Sequence, residues 1–228
     1  MIRRLAKLKR PAIRELVRRI AAASFALAAP FTAHSVIAAS TRVSDCRPCT
    51  LQLVRGKPAF DFSFNVVTQP GQTERRVQSI DVSRNGAVLQ RLLVPNMEPI
   101  GPEEQFVFGA IDFNDPIHPC VTLLTSSGAA NAYARYWLYD RSRSAFVDLG
   151  SFPVLRFDKR TKSIRSHERG GHGGREFEDK WYVLSGDRLL ISRIVSQTWD
   201  SSVGAYKRVI RERRGDQLDL ITQEVVKE

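Results

Sequence analysis

A cluster of glycines flanked by arginines is the segment of this sequence that most resembles a chemical site. Positions 170–174 hold four glycines around His172, with Arg169 before them and Arg175 after them. Glycine-rich loops bind phosphate when they continue into Lys-Ser/Thr and a helix, but here Glu176 and a strand-like run follow. We therefore predict a wide turn whose arginines and histidine form a contact surface.

The sequence contains no set of residues typical of nucleophilic catalysis. It has no G-x-S-x-G motif, and the histidines that could act as bases, which are His118, His167 and His172, are expected in surface loops. The acidic residues of the second half fall at turns, where a carboxylate caps backbone N–H groups; they are Asp140, Asp158, Asp187, Asp200 and Asp216. We predict a non-enzymatic protein, with an envelope glycan hydrolase that uses two of these carboxylates as the alternative.

One short segment begins like a calcium-binding loop. Asp112 and Asn114 place oxygen ligands at alternate positions, which is the spacing that surrounds a hard cation. Pro116 and the residues after it then replace the glycine turn and the later acidic ligands. Asp112 and Asn114 are thus the candidate metal ligands, and the general expectation is a protein without a cofactor.

The three cysteines bear on the redox compartment. Cys46 and Cys49 form a C-x-x-C unit, and Cys120 lies far along the chain. In an oxidising compartment two of the three can pair as a disulfide, and the three pairings stay open. The C-x-x-C unit leads into a strand-like run, which favours a structural bridge over a redox site. A zinc site would have only His118 nearby as a further ligand and is not favoured.

The N-terminus has the plan of an export signal. Residues 1–19 carry eight basic residues and one acid, and an alanine-rich apolar run follows over residues 20–33. This run suits a signal peptide but is shorter than the roughly 20 residues of a membrane-spanning helix. Cleavage after Ala38 or Ala39 predicts a periplasmic or secreted protein with no transmembrane anchor in the mature chain. The rival interpretation is a basic amphipathic helix on a membrane or nucleic acid, and the export route stays open.

Removal of the leader changes what the net charge implies. The 228 residues include 35 basic and 24 acidic residues, and the formal net charge of +11 by itself favours a phosphate-rich partner. Without residues 1–39 the chain has 27 basic and 23 acidic residues, and its net charge is +4. Because such a domain suits an acidic protein cleft better than nucleic acid, we expect a protein partner.

Beyond the leader, apolar residues recur with period two, which is typical of half-buried strands. Phe60, Phe62, Phe64 and Val66 are predicted to share one face, and Asn85-Gly86 predicts a hairpin turn. Further hairpins are predicted over residues 133–147, 154–164, 180–191 and 205–225. This series predicts an all-β fold of antiparallel hairpins, with a signal peptide over 1–39, a joining segment over 40–70 and the β domain over 71–228.

Several segments of the second half resemble one family of exported bacterial proteins. They are Asn131–Asp140, Phe146, Phe157–Ile164, the glycines at 170–174 and Trp181-Tyr182. The family is related to a periplasmic immunity protein of a type IV secretion system that kills rival bacteria, and it is similar in shape to inhibitors of invertebrate-type lysozymes. The resemblance spans roughly residues 75–225. It implies a small β-propeller-like domain of about five blades and a non-catalytic protein that plugs the cleft of a peptidoglycan-cleaving enzyme. The hairpin series by itself also allows a β-sandwich, which is the alternative fold.

Inhibition of this kind needs donors for the carboxylates of the enzyme and side chains that fill its sugar subsites. The candidate loops are 170–175 and 185–187, with tyrosines as anchors. The predicted partner-binding residues are Tyr133, Tyr136, Arg169, His172, Arg175, Tyr182, Ser185 and Gly186. Alternation places Trp137 and Tyr139 on one face of their strand and Tyr136 and Leu138 on the other. Trp137 and Trp181 are expected in the core, and a structural or adhesion module of the envelope is a further alternative.

Overall fold

The described part of this computed structural model comprises residues 49–53, 59–111, 113, 119–158, 160–161 and 163–226. The predicted signal peptide, Cys46, the candidate ligands Asp112 and Asn114, and His118 lie outside these residues. No helix within the described ranges has the length and apolar character of a membrane span. In chain order the elements are β1 (Cys49–Leu51), β2 (Phe60–Thr68), β3 (Arg75–Arg84), β4 (Ala87–Leu93), β5 (Phe108–Ile111), β6 (Cys120–Ser127), β7 (Ala132–Asp140), β8 (Ala145–Pro153), β9 (Arg156–Asp158), β10 (Ser163–Arg169), α1 (Gly171–Gly174), β11 (Phe177–Ser185), β12 (Arg188–Asp200), β13 (Ala205–Arg214) and β14 (Gln217–Val226).

The strands form three antiparallel sheets, and each sheet follows chain order. Sheet 1 contains β1–β4, sheet 2 contains β5–β8 and sheet 3 contains β9–β14. The prediction of an all-β fold built of antiparallel hairpins is confirmed. Four-stranded sheets of this kind are the units of β-propellers, although the described residues form three sheets where the family resemblance implies about five blades. The predicted joining segment contributes β1 and β2 to sheet 1.

The turns that the sequence predicted join the expected strands. Asn85 and Gly86 connect β3 to β4 with φ angles of 52° and 80°. This pair of left-handed residues is what a type I′ hairpin turn requires, and its twist matches that of the flanking strands. The four later hairpins are also present, as β7–β8, β9–β10, β11–β12 and β13–β14.

A β-bulge interrupts the predicted face of β2. Phe60 and Phe62 are buried, and Phe64 packs against the same core. The register against β3 shifts between Asn65 and Val66, and Val66 is 41% exposed. The prediction that Val66 shares the buried face is wrong, because period-two alternation holds only where the ladder is unbroken.

Sheet 2 is the middle layer, and both of its faces are buried. Trp137 and Tyr139 of β7 pack into a first core with sheet 1, whereas Tyr136 and Leu138 pack into a second core with sheet 3. The predicted alternation along this strand is confirmed. The continuous apolar run at 136–139 follows from burial on both sides, because neither face needs a polar residue.

The first core is a cluster of aromatic rings. The ring centroid of Phe60 lies 5.0 Å from that of Tyr139 and 5.4 Å from that of Phe146, and Phe62 lies 5.0 Å from Phe108. Tilted and edge-to-face contacts of this kind stabilise a core beyond the area they bury. The first core therefore joins sheets 1 and 2 almost entirely through hydrocarbon.

A side-chain amide also joins sheet 1 to sheet 2. Gln90 of β4 donates from Nε2 to the carbonyl of Phe146 at 2.7 Å, and its Oε1 accepts from the Phe146 N–H at 2.7 Å. The side-chain amide of Gln90 thus forms the two hydrogen bonds that a residue of a neighbouring strand would form with β8. Both backbone groups of Phe146 are satisfied at an otherwise open edge.

The second core contains phenol groups that are hydrogen-bonded within the protein. The Tyr136 hydroxyl accepts from the Leu155 N–H at 2.8 Å, and the Tyr182 hydroxyl lies 3.2 Å from Ser166 Oγ. Burial raises the pKa of Tyr136 to about 12 and also raises the pKa of Tyr182. With 1% and 2% of their surface exposed, these tyrosines cannot anchor a partner, which corrects their prediction as binding residues.

Cys120 is also part of the second core. It is 1% exposed, its thiol is free, and burial raises its pKa. Because the Cys120 thiol is free, neither of the two disulfide pairings that involve Cys120 is present in this structure. Cys46 with Cys49 is the pairing that this leaves.

Candidate binding surface

A groove lined by arginines lies where the edge of sheet 3 meets sheet 2. Its volume is about 430 Å³, and it is lined by Gly128, Ala130, Asn131, Ala132, Val154, Arg156, Arg165, Ser166, His167 and Arg169. None of these described lining residues is acidic, whereas three are arginines. We refer to this feature as the arginine groove.

The groove exists because β9 is too short to cover its neighbour. The three residues of β9 pair with Ser163, Ile164 and Arg165 of β10, so the rest of β10 forms an open edge of sheet 3. Asn131 closes the far end of this edge. Its Nδ2 donates to the Arg169 carbonyl at 2.9 Å, and its Oδ1 accepts from the Arg169 N–H at 2.7 Å.

A buried aspartate positions two of the side chains that line the groove. Asp179 is 7% exposed, and its carboxylate oxygens lie 2.7 Å from Arg165 Nη2 and 2.8 Å from His167 Nδ1. The imidazole of His167 also stacks on Phe177, with 6.1 Å between ring centroids. Charge-assisted hydrogen bonds to one buried carboxylate fix both side chains. His167 therefore lies on a strand, which corrects the prediction of a loop.

The positive charge of the groove is only partly balanced. Arg165 is paired with Asp179, but the guanidinium groups of Arg156 and Arg169 have no acidic partner among the described residues. Guanidinium offers a planar set of donors that suits carboxylate oxygens. The groove thus presents two unneutralised cations on a framework that Asp179 and Asn131 hold in place.

Trp181 lies outside the core, beside this groove. The guanidinium carbon of Arg165 is 4.9 Å from the ring centroid of Trp181, and that of Arg193 is 5.3 Å away. Both distances fall within the range of cation–π attraction. The prediction that Trp181 is a core residue is wrong, because the adjacent Tyr182 points into the second core and Trp181 takes the opposite face.

The glycine loop, residues 170–174, connects β10 to β11 and includes α1. It forms a turn, as predicted, and Glu176 holds that turn closed by accepting from the N–H groups of Gly171 at 3.0 Å and Trp199 at 2.8 Å. The Trp199 N–H is the main cause that holds the pKa of Glu176 below its usual range. A Cβ on Gly170 would lie 2.9 Å from the Glu176 Cβ and 3.3 Å from the Glu176 carbonyl oxygen, so the absence of a side chain at position 170 allows this close approach.

The other two predicted residues at this end are exposed. The His172 ring lies 5.6 Å from that of Trp199 and 6.1 Å from that of Tyr206, and Arg175 accepts from Gln197 Nε2 at 2.8 Å through its backbone carbonyl. The φ angle of His172 is 52°, a left-handed value that displays its side chain on the turn. Arg169, His172 and Arg175 are therefore grouped at one end of sheet 3.

Tyr133 lies close to this end, but its hydroxyl is already engaged. It donates to the carboxylate of Glu168, which also binds Lys180 Nζ at 3.3 Å. The hydrogen bond to Glu168 is the main cause that raises the pKa of Tyr133, and burial adds to it. Tyr133 thus contributes to the framework behind the groove through its hydroxyl.

Ser185 and Gly186 are not part of this surface. They form the β11–β12 turn, at the opposite end of β11 from the glycine loop, and nine strand residues span about 27 Å. A second groove of about 450 Å³ lies there, between this turn and the β7–β8 turn, where Arg143 Nη1 binds Asp187 at 3.2 Å. The two candidate loops, 170–175 and 185–187, therefore lie at opposite ends of β11.

Three of the five predicted turn carboxylates, those of Asp140, Asp158 and Asp200, cap their own turns. Asp140 accepts from the Ser142 N–H and hydroxyl at 2.8 and 2.6 Å, and Asp200 accepts from the same groups of Ser202 at 3.0 and 2.6 Å. These hydrogen bonds, the hydroxyl first, lower the pKa of both carboxyls. Within the described ranges no group of three or more His, Cys, Asp and Glu side chains is placed to hold a metal ion.

Arg156, Arg165, Asp179 and Trp181 were not identified from the sequence. A usable signal was present in the strand itself, because residues 163–169 alternate and so place Arg165, His167 and Arg169 on one face. The role of Asp179 depends on the register between β10 and β11, which sets His167 directly opposite it. That register is not visible in the sequence.

Comparison with known proteins gives one informative match. No family model matches the chain, and no curated protein matches it. A solved structure of a Xanthomonas type IV secretion system related protein matches with a TM-score of 0.50 and 11% sequence identity, over 80% of this chain and 98% of that chain. At this identity the similarity concerns the fold, and the chain shares the fold of a secretion-related protein.

Proposed function

We propose that the mature chain is an exported, non-enzymatic binding protein of the cell envelope, and that it inhibits a lysozyme-like, peptidoglycan-cleaving enzyme. The observation that carries this proposal is the arginine groove beside the glycine loop, which presents Arg156 and Arg169 without acidic partners among the described residues. Such enzymes place carboxylates at their cleft. Guanidinium donors on a rigid framework complement those carboxylates.

A binding role is also supported by what the carboxylates of the second half do. A general acid of a glycan hydrolase needs a raised pKa, whereas the pKa of Asp140, Asp158 and Asp200 is lowered by hydrogen bonds within their turns. Groups of this kind stay ionised at neutral pH. They suit turn capping better than proton transfer.

Inhibition assays test the proposal directly. The purified protein should slow a panel of lysozymes and muramidases at micromolar concentration and form a complex with at least one of them. Arg169→Glu should weaken inhibition at least ten-fold, because it places a like charge before the carboxylates. Arg188→Glu, at the opposite end of β11, is the matched control and should inhibit like the wild type. Absence of both inhibition and complex formation across the panel would reject the proposal.

Export carries a prediction about the cysteines. Because Cys120 is a free, buried thiol, we expect Cys46 and Cys49 to form the disulfide of the exported protein. Peptide mapping of native protein should find these two linked and Cys120 alkylated only after denaturation. N-terminal sequencing should begin after Ala38 or Ala39. A protein that begins at Met1 would contradict the export hypothesis.

A further inference from the structure

The open edge of β10 directs backbone groups into the arginine groove. In an antiparallel strand, every second residue presents both its N–H and its C=O to the same side. Arg165 pairs with β9 on that side, and Arg169 pairs there with Asn131. His167 lies two residues from each of them along the strand. Its N–H and C=O therefore point to the same side as theirs and face the groove. Within the described part of the chain these two groups have no backbone partner.

Arginine and histidine side chains share one face above this backbone. Side chains alternate along a strand, so Arg165, His167 and Arg169 lie on the same face of β10. Arg156 is directly opposite Arg165 in the ladder and therefore lies on that face as well. A segment that paired with His167 would project one side chain onto this face, between the guanidinium groups.

We propose that the arginine groove binds an extended segment of a protein partner in which an aspartate or glutamate pairs with His167. The backbone of that residue bonds the N–H and C=O of His167, and its carboxylate accepts from Arg156 and Arg169. Extended peptides add to open strand edges in this way, and guanidinium selects carboxylate over neutral groups. The inference rests on the proposed function only in taking the partner to be a protein.

The dimensions of the gap limit the bound segment. Arg156 bounds it at one end and Asn131 at the other, which leaves the edge of Ser166–Glu168, about 10 Å of strand. The small and apolar lining residues leave room for the neighbours of the acidic residue; they are Gly128, Ala130, Ala132 and Val154. A short segment with one central carboxylate therefore fits, whereas a long added strand does not.

Peptide titration tests this inference on the purified protein. The probe is acetyl-Ala-Val-Glu-Val-Ala-amide, whose only charge is the glutamate, and its matched control carries glutamine in that place. Amide NMR spectra should show the largest shift at His167, and the glutamate peptide should bind at least ten-fold more tightly, which is about 1.4 kcal/mol. Equal affinity of the two peptides, shifts centred elsewhere, or no binding at millimolar peptide would overturn the proposal.

Variants separate the backbone contribution from the charge contribution. Arg156→Gln and Arg169→Gln should each weaken the glutamate peptide about five-fold or more and leave the glutamine peptide unchanged, whereas Arg188→Gln should alter neither. His167→Ala keeps the backbone and should retain affinity within about three-fold. A peptide methylated on the glutamate nitrogen should lose at least ten-fold, and unchanged binding of this peptide would contradict strand pairing.

The outcomes also separate this inference from the proposed function. If the peptide binds as described and no hydrolase is inhibited, the groove is a carboxylate site of a protein with another partner. If hydrolases are inhibited equally by wild type and by the Arg156→Gln, Arg169→Gln double variant, and the peptide does not bind, the proposed function stands and the groove proposal is wrong.

Discussion

The two cores on either side of sheet 2 are built by different chemistry. The first core, toward sheet 1, packs phenylalanine rings such as Phe60, Phe62 and Phe146 against one another. The second core, toward sheet 3, contains Tyr136 and Tyr182, whose hydroxyls are hydrogen-bonded inside the protein. Strand β7 contributes to both.

The hydrogen-bonded second core lies next to the arginine groove. Ser166, which hydrogen-bonds Tyr182 in the second core, is also part of the lining of the arginine groove. The phenols of the second core therefore position β10 and Leu155, the elements that bound the groove. Directional hydrogen bonds specify geometry more closely than apolar contacts do. The second core therefore fixes the positions of the strands that form the groove.

The largest expected effect comes from the first core. Phe62→Ala should lower the free energy of unfolding by about 3–5 kcal/mol, because Phe62 is fully buried among rings that cannot close the cavity. Phe152→Ala, in the second core, should cost about 1–2 kcal/mol because solvent already reaches part of its ring. Urea unfolding measures both. A larger loss of stability for Phe152→Ala than for Phe62→Ala would contradict the expectation that the first core is the more tightly packed.

Removal of a single hydroxyl should distinguish the cores more sharply. Tyr136→Phe should lower stability by about 1–3 kcal/mol, because the Leu155 N–H loses a buried partner. Tyr139→Phe, on the first-core side of the same strand, has no side-chain hydrogen bond within the described residues to lose, and should change stability by less than about 0.5 kcal/mol. Denaturant midpoints of the two variants test this, and similar losses would show that the hydroxyls do not separate the cores.

High pH should act on the second core. Burial raises the pKa of Tyr136 to about 12 and raises that of Tyr182, so the folded state keeps protons that the unfolded state releases near pH 10. The contribution of these two tyrosines to stability is therefore constant below about pH 10 and falls above it, by up to about 1.4 kcal/mol per pH unit for each group. Tyr136→Phe should flatten this slope between pH 10 and 12. If the dependence of stability on pH were unchanged in that variant, groups other than Tyr136 would cause the loss of stability at high pH.

Sequence patterns predicted most of the fold because most of the strands alternate without interruption. The hairpin at Asn85-Gly86 and the two faces of β7 follow from turn chemistry and period two. Val66 and Trp181 were placed wrongly for related reasons. A bulge shifts Val66, and Trp181 lies at the register shift between β11 and β12, where hydrophobicity alone does not assign the face.

The candidate site was less predictable, because it depends on contacts between sheets. The exposed residues Arg169, His172 and Arg175 were identified from their loop. The sequence does not decide whether Tyr136 and Tyr182 are anchors or core residues, because an aromatic ring with a hydroxyl suits a surface and a core equally well. The pairing of Asn131 with Arg169 joins residues 38 positions apart, and no local pattern indicates it.

The two side-chain amides that join the sheets offer a further comparison. Gln90 bonds both backbone groups of Phe146 in a partly buried place, whereas Asn131 bonds both backbone groups of Arg169 in an exposed one. Gln90→Ala leaves buried groups unpaired and should cost about 1–2 kcal/mol, whereas water replaces Asn131 and Asn131→Ala should cost less than about 1 kcal/mol.

For peptide binding, in contrast, we expect a larger effect from Asn131→Ala than from Gln90→Ala. Asn131→Ala frees the end of the β10 edge and should weaken the glutamate peptide several-fold, because Asn131 no longer holds the backbone of Arg169. Gln90→Ala, at the other junction, should leave peptide affinity unchanged although it is the less stable variant. Urea unfolding and peptide titration on the same two proteins measure both quantities. If Gln90→Ala weakened the peptide as much as Asn131→Ala, the groove would depend on overall stability and not on the local junction between sheets 2 and 3.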